Sequence, residues 1–267
     1  MNFPLSIRRR ARAAFTMVEI AICLAIIGIA LVGIIGMLPY GMNTQRDTRE
    51  ETIMDQDVGI LLPAITQGMR GMDDLTNYVY AVTNFQTFYN SDGTTGQTSI
   101  YGYTYTGSAL NGTSFGPVLT NGENIIGILS TPEYANSTTL QPLPNVINGG
   151  FSNHVVAYVR ALSGLASEKP PQDNSLMLND AFTYRLLVVN APVALDTNTF
   201  NTPYNLQIWQ NERELRLTFL SPQQPNGSIG NNRLTYRATI AGQLAPTNYN
   251  NETFYFYQPQ SFTVNTN

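Results

Sequence analysis

The sequence predicts an α+β chain: one long amino-terminal helix, membrane-spanning in its first half and packed in its second half on an antiparallel β-sheet domain. Three observations predict it. Residues 20–38 form an almost unbroken apolar run. Beyond Pro39 the chain turns charged, yet its apolar residues recur at helical spacing. After Tyr78 the pattern becomes one of alternating apolar and polar residues separated by turn-forming residues.

The amino terminus is read first. No charged residue occurs between Glu19 and Arg46, and the 19 residues from 20 to 38 approach the roughly 20 that a spanning helix needs. Arg8, Arg9, Arg10 and Arg12 precede the run, and no acid lies before Glu19. That asymmetry predicts a cytoplasmic amino terminus and a translocated body. A cleavable secretory signal would place small residues after its apolar core, whereas Ala-Arg-Ala-Ala at 11–14 lies before it. A lipoprotein signal fits no better, since bulky Ile22 precedes Cys23 and most of the apolar run follows it.

The order is a basic leader, a small residue, a phenylalanine, then an acid just inside an apolar helix. With Ala14-Phe15-Thr16-Met17-Val18-Glu19 as the matching residues, it resembles the type IV prepilin family, which includes the pseudopilins of type II secretion. The resemblance implies that a prepilin peptidase on the cytoplasmic side cuts between Ala14 and Phe15 and methylates the new amino group of Phe15. It further implies that the helix stays in the mature chain and assembles with other pilin-like subunits. Two departures stand out: the family usually has Gly where this chain has Ala14, and its helix-kinking proline often falls earlier than Pro39, near the place of Gly36.

A carboxylate inside lipid costs about 2.5–3.5 kcal/mol on insertion scales unless it is paired or reaches the interface. Cleavage after Ala14 would create an amine one helical turn from Glu19, and the resemblance implies that Glu19 pairs with the amino terminus of a neighbouring subunit and so sets assembly register. The alternative is that Glu19 snorkels to the interface beside Arg12. Ala21, Ala25 and Gly28 fall at i, i+4 and i+7, a smooth stripe along which another helix can approach. Gly33, Gly36 and Pro39 mark the region where the helix is expected to kink or unwind, though ordinary glycine content in a membrane helix accounts for the glycines equally well.

Four segments follow: a leader at 1–14, a transmembrane and assembly helix at 15–40, a helical extension at 41–77, and a β-rich globular domain at 78–267. In the extension Ile53, Val58, Leu61, Leu62, Ile65, Met69 and Met72 suit one apolar face, and Pro63 is expected to kink or end it. In the globular part Tyr101, Tyr103 and Tyr105 share a strand face. Leu215, Leu217 and Phe219 alternate with polar residues, as do Leu234, Tyr236, Ala238 and Ile240 across a connection rich in Pro and Gly. They predict a long-looped β-hairpin with one face on a core. A last strand or pair precedes Pro259. The Leu-Thr-Phe, Pro-Asn-Gly and Thr-Tyr-Arg segments of the hairpin also resemble a prepilin-like family found in a gene cassette of Verrucomicrobia.

Composition excludes several classes. Of 14 basic residues four lie in the leader, leaving 10 against 18 acids. A net-acidic body with no basic cluster argues against general nucleic-acid binding. Cys23 is the only cysteine, so no intramolecular disulfide or cysteine-based zinc site forms. His154 is the only histidine, has no motif around it and is read as a structural or surface residue. No phosphate-cradling loop occurs, and Lys169 sits beside Pro170 in an expected loop. Asp73 and Asp74 are read as a helix start rather than a cation site, and Asp92 as a turn residue rather than a calcium ligand. The tyrosine stripe is read as sheet packing before sugar or peptide stacking.

No catalytic residue, metal ligand, cofactor or small-molecule substrate is therefore expected. Two functions fit. One is a pilin-like or pseudopilin-like structural subunit of the inner membrane, cut after Ala14 and assembled through its helix into a filament or secretion pseudopilus. The other is an unprocessed single-pass membrane protein whose outer domain binds a ligand or acts as an enzyme.

Overall fold

The computed structural model describes residues 15–104, 116–117, 119–144, 149–163, 182–193, 202–224, 226–249 and 252–262. Helix α1 runs Met17–Thr66. The chain divides into two compact units after Thr48, so the amino-terminal part of α1 belongs to one and its last turns, from Arg49, to the β-rich unit.

The helix is unbroken at both prolines. Proline inside a helix costs about 3 kcal/mol, but Leu61, Ala64 and Ile65 flank Pro63 with no exposed surface. Burying Leu and Ile stabilises by roughly 1.5–3 kcal/mol each. Packing therefore carries the helix past Pro63, and it ends three residues later for a different reason. Gly68 takes a left-handed φ of +58°, its N–H donates to Ile65 O at 3.1 Å, and the Met69 N–H donates to Ala64 O at 3.0 Å. This is the paired Schellman closure of a helix carboxyl end. Within residues 41–77, a short 3-10 helix then covers Asp73–Asn77.

Strands β1 (Val79–Tyr89), β2 (Thr95–Thr104), β3 (Gly116–Pro117), β4 (Tyr134–Asn136), β5 (Gly150–Arg160), β6 (Thr183–Pro192), β7 (Glu212–Gln223) and β8 (Ile229–Ala241) form one sheet in the order β3-β2-β1-β5-β6-β7-β8, with β4 also on β5. All described pairings in it are antiparallel except β2 with β3. The fold is α+β with a long amino-terminal helix, as the sequence predicts.

Register explains why one face carries the core. Val82 pairs with Ala157, Ala157 with Leu186, Leu186 with Phe219 and Phe219 with Leu234. Because side chains alternate, this row and its neighbours two residues away point the same way. The predicted hairpin is β7–β8, and Leu215, Leu217, Phe219 and Ile240 are buried from it. Met54, Val58, Leu61 and Ile65 of α1 join the same cluster.

Helix α2 (Gly122–Leu129) and a two-stranded sheet of β9 (Gln243–Tyr249) and β10 (Glu252–Gln258) also join that core. Asn121 caps α2, its side chain accepting from Asn124 N at 2.8 Å. Gly127 lets the helix close on β10, since a Cβ there would lie 2.7 Å from Phe254 Cβ. Asn190 of β6 ties the layer down, accepting from the Tyr257 hydroxyl at 2.6 Å and donating to Ser130 O at 2.6 Å. Helix α3 (Pro203–Asn211) leads into β7, with Thr202 as its cap.

Candidate functional site

Phe15, Thr16 and Glu19 open the described chain; Ala14 and the four leader arginines lie outside the described residues. The Thr16 N–H donates to Glu19 Oε2 at 2.8 Å, the Thr16 hydroxyl donates to the same oxygen at 2.9 Å, and the Glu19 N–H donates to Thr16 Oγ1 at 3.3 Å. This is a reciprocal capping box, in which residues at the cap and third helical positions satisfy each other's amides. Its signature, Thr-x-x-Glu at 16–19, was present in the sequence and was overlooked there. Glu19 thus has partners within its own chain.

All residues from 15 to 49 are exposed. Ala21, Ala25 and Gly28 are among them, and a Cβ at Gly28, Gly33 or Gly36 would meet nothing within 4 Å. Pro39 lies inside the helical run. Among the described residues α1 is the one helix long and apolar enough to cross a membrane.

Farther along, α1 buries two acids that sequence reading passed over. Asp57 accepts from the Leu162 N–H at 3.0 Å, the Tyr184 hydroxyl at 2.8 Å and the Ser163 hydroxyl. Burial raises its carboxyl above the ordinary value, against the lowering effect of these bonds. Glu50 accepts from Ser221 Oγ at 3.3 Å and Asn232 Nδ2 at 3.1 Å. The Tyr236 hydroxyl donates to Asp55. Glu50 and Asp57 are seven residues apart, two helical turns, and so face the sheet together.

A cleft opens where the core face of the sheet turns polar. Along β1 the inward residues run Val82, Asn84, Gln86, and one wall is built from Asn84, Gln86, Tyr101, Tyr103, Phe151 and Asn153. The other wall comes from Ile128 and Thr131 at the end of α2, Leu140, and Glu252, Thr253 and Tyr255 of β10. A cavity of about 130 Å³ lies between them, below the roughly 300–1,000 Å³ of small-molecule pockets. Asn153 Oδ1 accepts from Asn84 Nδ2 at 3.0 Å and from Gln86 Nε2 at 3.2 Å, while its own amide donates to Pro132 O at 2.9 Å. The Tyr103 hydroxyl donates to Glu252 Oε2 at 3.3 Å, and burial raises the Glu252 carboxyl above its ordinary value. Tyr101 and Tyr103 do share a face; Tyr105 lies outside the described residues.

The opposite face of the sheet corrects the expectation of no basic cluster. Arg216 pairs directly with Arg237 across β7–β8, and Arg233 lines the same shallow surface with Leu187 and Val189. Strand pairing assembles arginines that are scattered in sequence. Glu214 offsets them, its Oε1 lying 2.6 Å from Arg216 Nε and 3.9 Å from Arg237 Nε.

The remaining candidates have local roles. His154 is exposed on β5, opposite Phe85 of β1. Asp73 and Asp74 open the 3-10 helix, and Asp73 also accepts from the Gly122 N–H at 3.0 Å at the start of α2. Asp92 accepts from the Thr94 N–H at 2.9 Å in the β1–β2 turn. Lys169 lies outside the described residues, among which no group of three or more His, Cys, Asp or Glu is placed to hold a metal. No protein-family model, curated protein or solved structure matches the chain.

Proposed function

We propose that the chain is a pilin-like or pseudopilin-like structural subunit of the inner membrane. In this reading a prepilin peptidase cuts it after Ala14 and methylates Phe15, and it assembles with other pilin-like subunits through α1 into a filament or pseudopilus. The observation that carries the reading is the conjunction of Ala14-Phe15 and Glu19 with a helix whose apolar side chains, such as Ile29 at 75% and Val32 at 73% exposure, have no cover of their own. Such a surface needs lipid or other helices around it.

Intact-mass and amino-terminal peptide measurement on protein from its native membrane tests this reading. A chain beginning with N-methylated Phe15 supports it, and Ala14→Leu should then block the cut. A chain retaining Arg8 to Ala14 in cells with an active prepilin peptidase overturns it.

One observation favours the second reading, an unprocessed single-pass protein with a working outer domain. The capping box gives Glu19 a role inside its own helix, independent of any neighbour.

A further inference from the structure

We propose that β8 takes up an added strand from a partner protein, an extended segment in which acidic and apolar residues alternate. The inference does not depend on how the amino terminus is processed.

Strand β8 ends the large sheet, and among the described residues it pairs with β7 alone. In an antiparallel pair successive residues turn their N–H and C=O groups alternately toward the neighbour and away from it. A 13-residue edge therefore presents a row of outward donors and acceptors, which templates strand addition unless something blunts it. Short length, proline and bulges are the usual means. From Asn232 to Ala241 β8 has no proline, and its pairing with β7 runs without a register shift.

The core also thins out at this strand. Leu215, Leu217 and Phe219 of β7 are fully buried, whereas Ala238, Tyr236 and Leu234, which pair with them, are only half-buried. One more strand covers those three side chains, so its residues on that face are apolar. They are uncharged as well as apolar, because Tyr236 donates to Asp55 there and Glu51 lies one turn back along α1. A carboxylate on that face would meet like charge.

Charge decides the other face. Arg233, Thr235, Arg237 and Thr239 alternate away from the core and are exposed, Arg237 over 68% of its side chain. Arg216 adds a third cation from β7, and Glu214 lies nearer to it than to Arg237. Acids on alternate residues of an added strand would stand directly beside Arg233 and Arg237, where opposite charges stabilise a sheet. The same arginines argue against a second copy of this edge as the occupant. Two β8 strands laid antiparallel about Thr235 would set Arg233 against Arg237 twice, a like-charge pairing that edges use to avoid each other.

Hydrogen exchange read by mass spectrometry on the full chain in phosphatidylcholine nanodiscs provides the test. The probe is a synthetic peptide of alternating valine and glutamate, about nine residues long to match a strand. One control alternates valine and lysine, and another has the probe's composition with its glutamates in one block. At about 1 mM probe, exchange across Arg233–Thr239 should slow about tenfold, the protection given by a ligand near ten times its Kd. Strands β5 and β6 should not change. Replacing both Arg233→Glu and Arg237→Glu should remove that protection and transfer it to the lysine peptide, a gain that requires a folded edge. Four results would each overturn the proposal: no slowing by the glutamate peptide, equal slowing by either control, slowing that survives the double replacement, or protection of β8 that rises with protein concentration alone, as self-pairing would produce.

Discussion

The Asp57 carboxylate of α1 accepts the Tyr184 hydroxyl of β6 at 2.8 Å, across 127 positions of sequence. With Glu50 on Ser221 and Asn232, it anchors the helix to the sheet in one axial register, which apolar contacts alone leave loosely defined. Helix sliding would strand a buried acid.

Removing that anchor should be costly. Asp57→Ala leaves the Tyr184 hydroxyl and Leu162 amide without their acceptor, and a loss of about 2–3 kcal/mol is expected. Tyr184→Phe, which keeps the acceptor and its other donors, should cost about 1 kcal/mol. Denaturant titration of both variants checks the order.

A pH dependence follows from the same residue. The Asp57 carboxyl is raised above 3.8, chiefly by burial. The folded state then holds more protons than the unfolded state in the window above 3.8, so this contribution is full below it and is lost as pH rises through the folded value. Relative to Asp57→Asn, the wild type should lose stability as pH rises from about 4 to 7. The depressed Glu214 and Asp92 carboxyls have the opposite slope, but both chains carry them. Paired melts across that range give the difference.

Glu19 can be tested by separating charge from capping. Glutamine also completes a capping box, so Glu19→Gln keeps the helix start and removes the charge. If Glu19 pairs with a subunit's amino terminus, both Gln and Ala variants should fail to assemble while the outer domain folds normally. Assembly restored by Gln would assign the residue to capping. Co-purification of tagged and untagged subunits reads the outcome.

Gly59 of α1 and Gly68, just past its carboxyl end, should respond with opposite signs. Gly68→Ala forces a side chain into the left-handed region, where its Cβ would lie 2.5 Å from Tyr257 O, and should cost at least about 1–2 kcal/mol. Gly59→Ala adds a methyl into open space within the helix and should stabilise by about 0.5–1 kcal/mol. Thermal melts distinguish them.

On the outer face, Glu214→Gln leaves Arg216 and Arg237 facing each other. The exposed setting limits the cost to under about 1 kcal/mol, and it should shrink in 1 M salt, where screening acts within about 3 Å. Melts at two salt concentrations check it.

The apolar run and the α+β division were both legible because each is written in contiguous residues whose period or hydropathy is a local property. The β7–β8 hairpin was legible for the same reason: Leu217 and Tyr236 announce their shared face by alternation alone. Thr16 and Glu19 were also local, three residues apart, and their capping box could have been read from spacing. Tertiary structure decided the rest. Pro63 reads as a stop by propensity, yet burial of Leu61 and Ile65 outweighs it and Gly68 ends the helix instead. Asp57 looks like a surface acid until Leu162, Ser163 and Tyr184 converge on it. Asn84, Tyr101, Asn153 and Glu252 meet in one cleft, and Arg216 meets Arg237, only because strand order and register bring distant segments side by side. Sequence determines a pattern along the chain, whereas a site depends on distances across it, and those arise when the sheet forms.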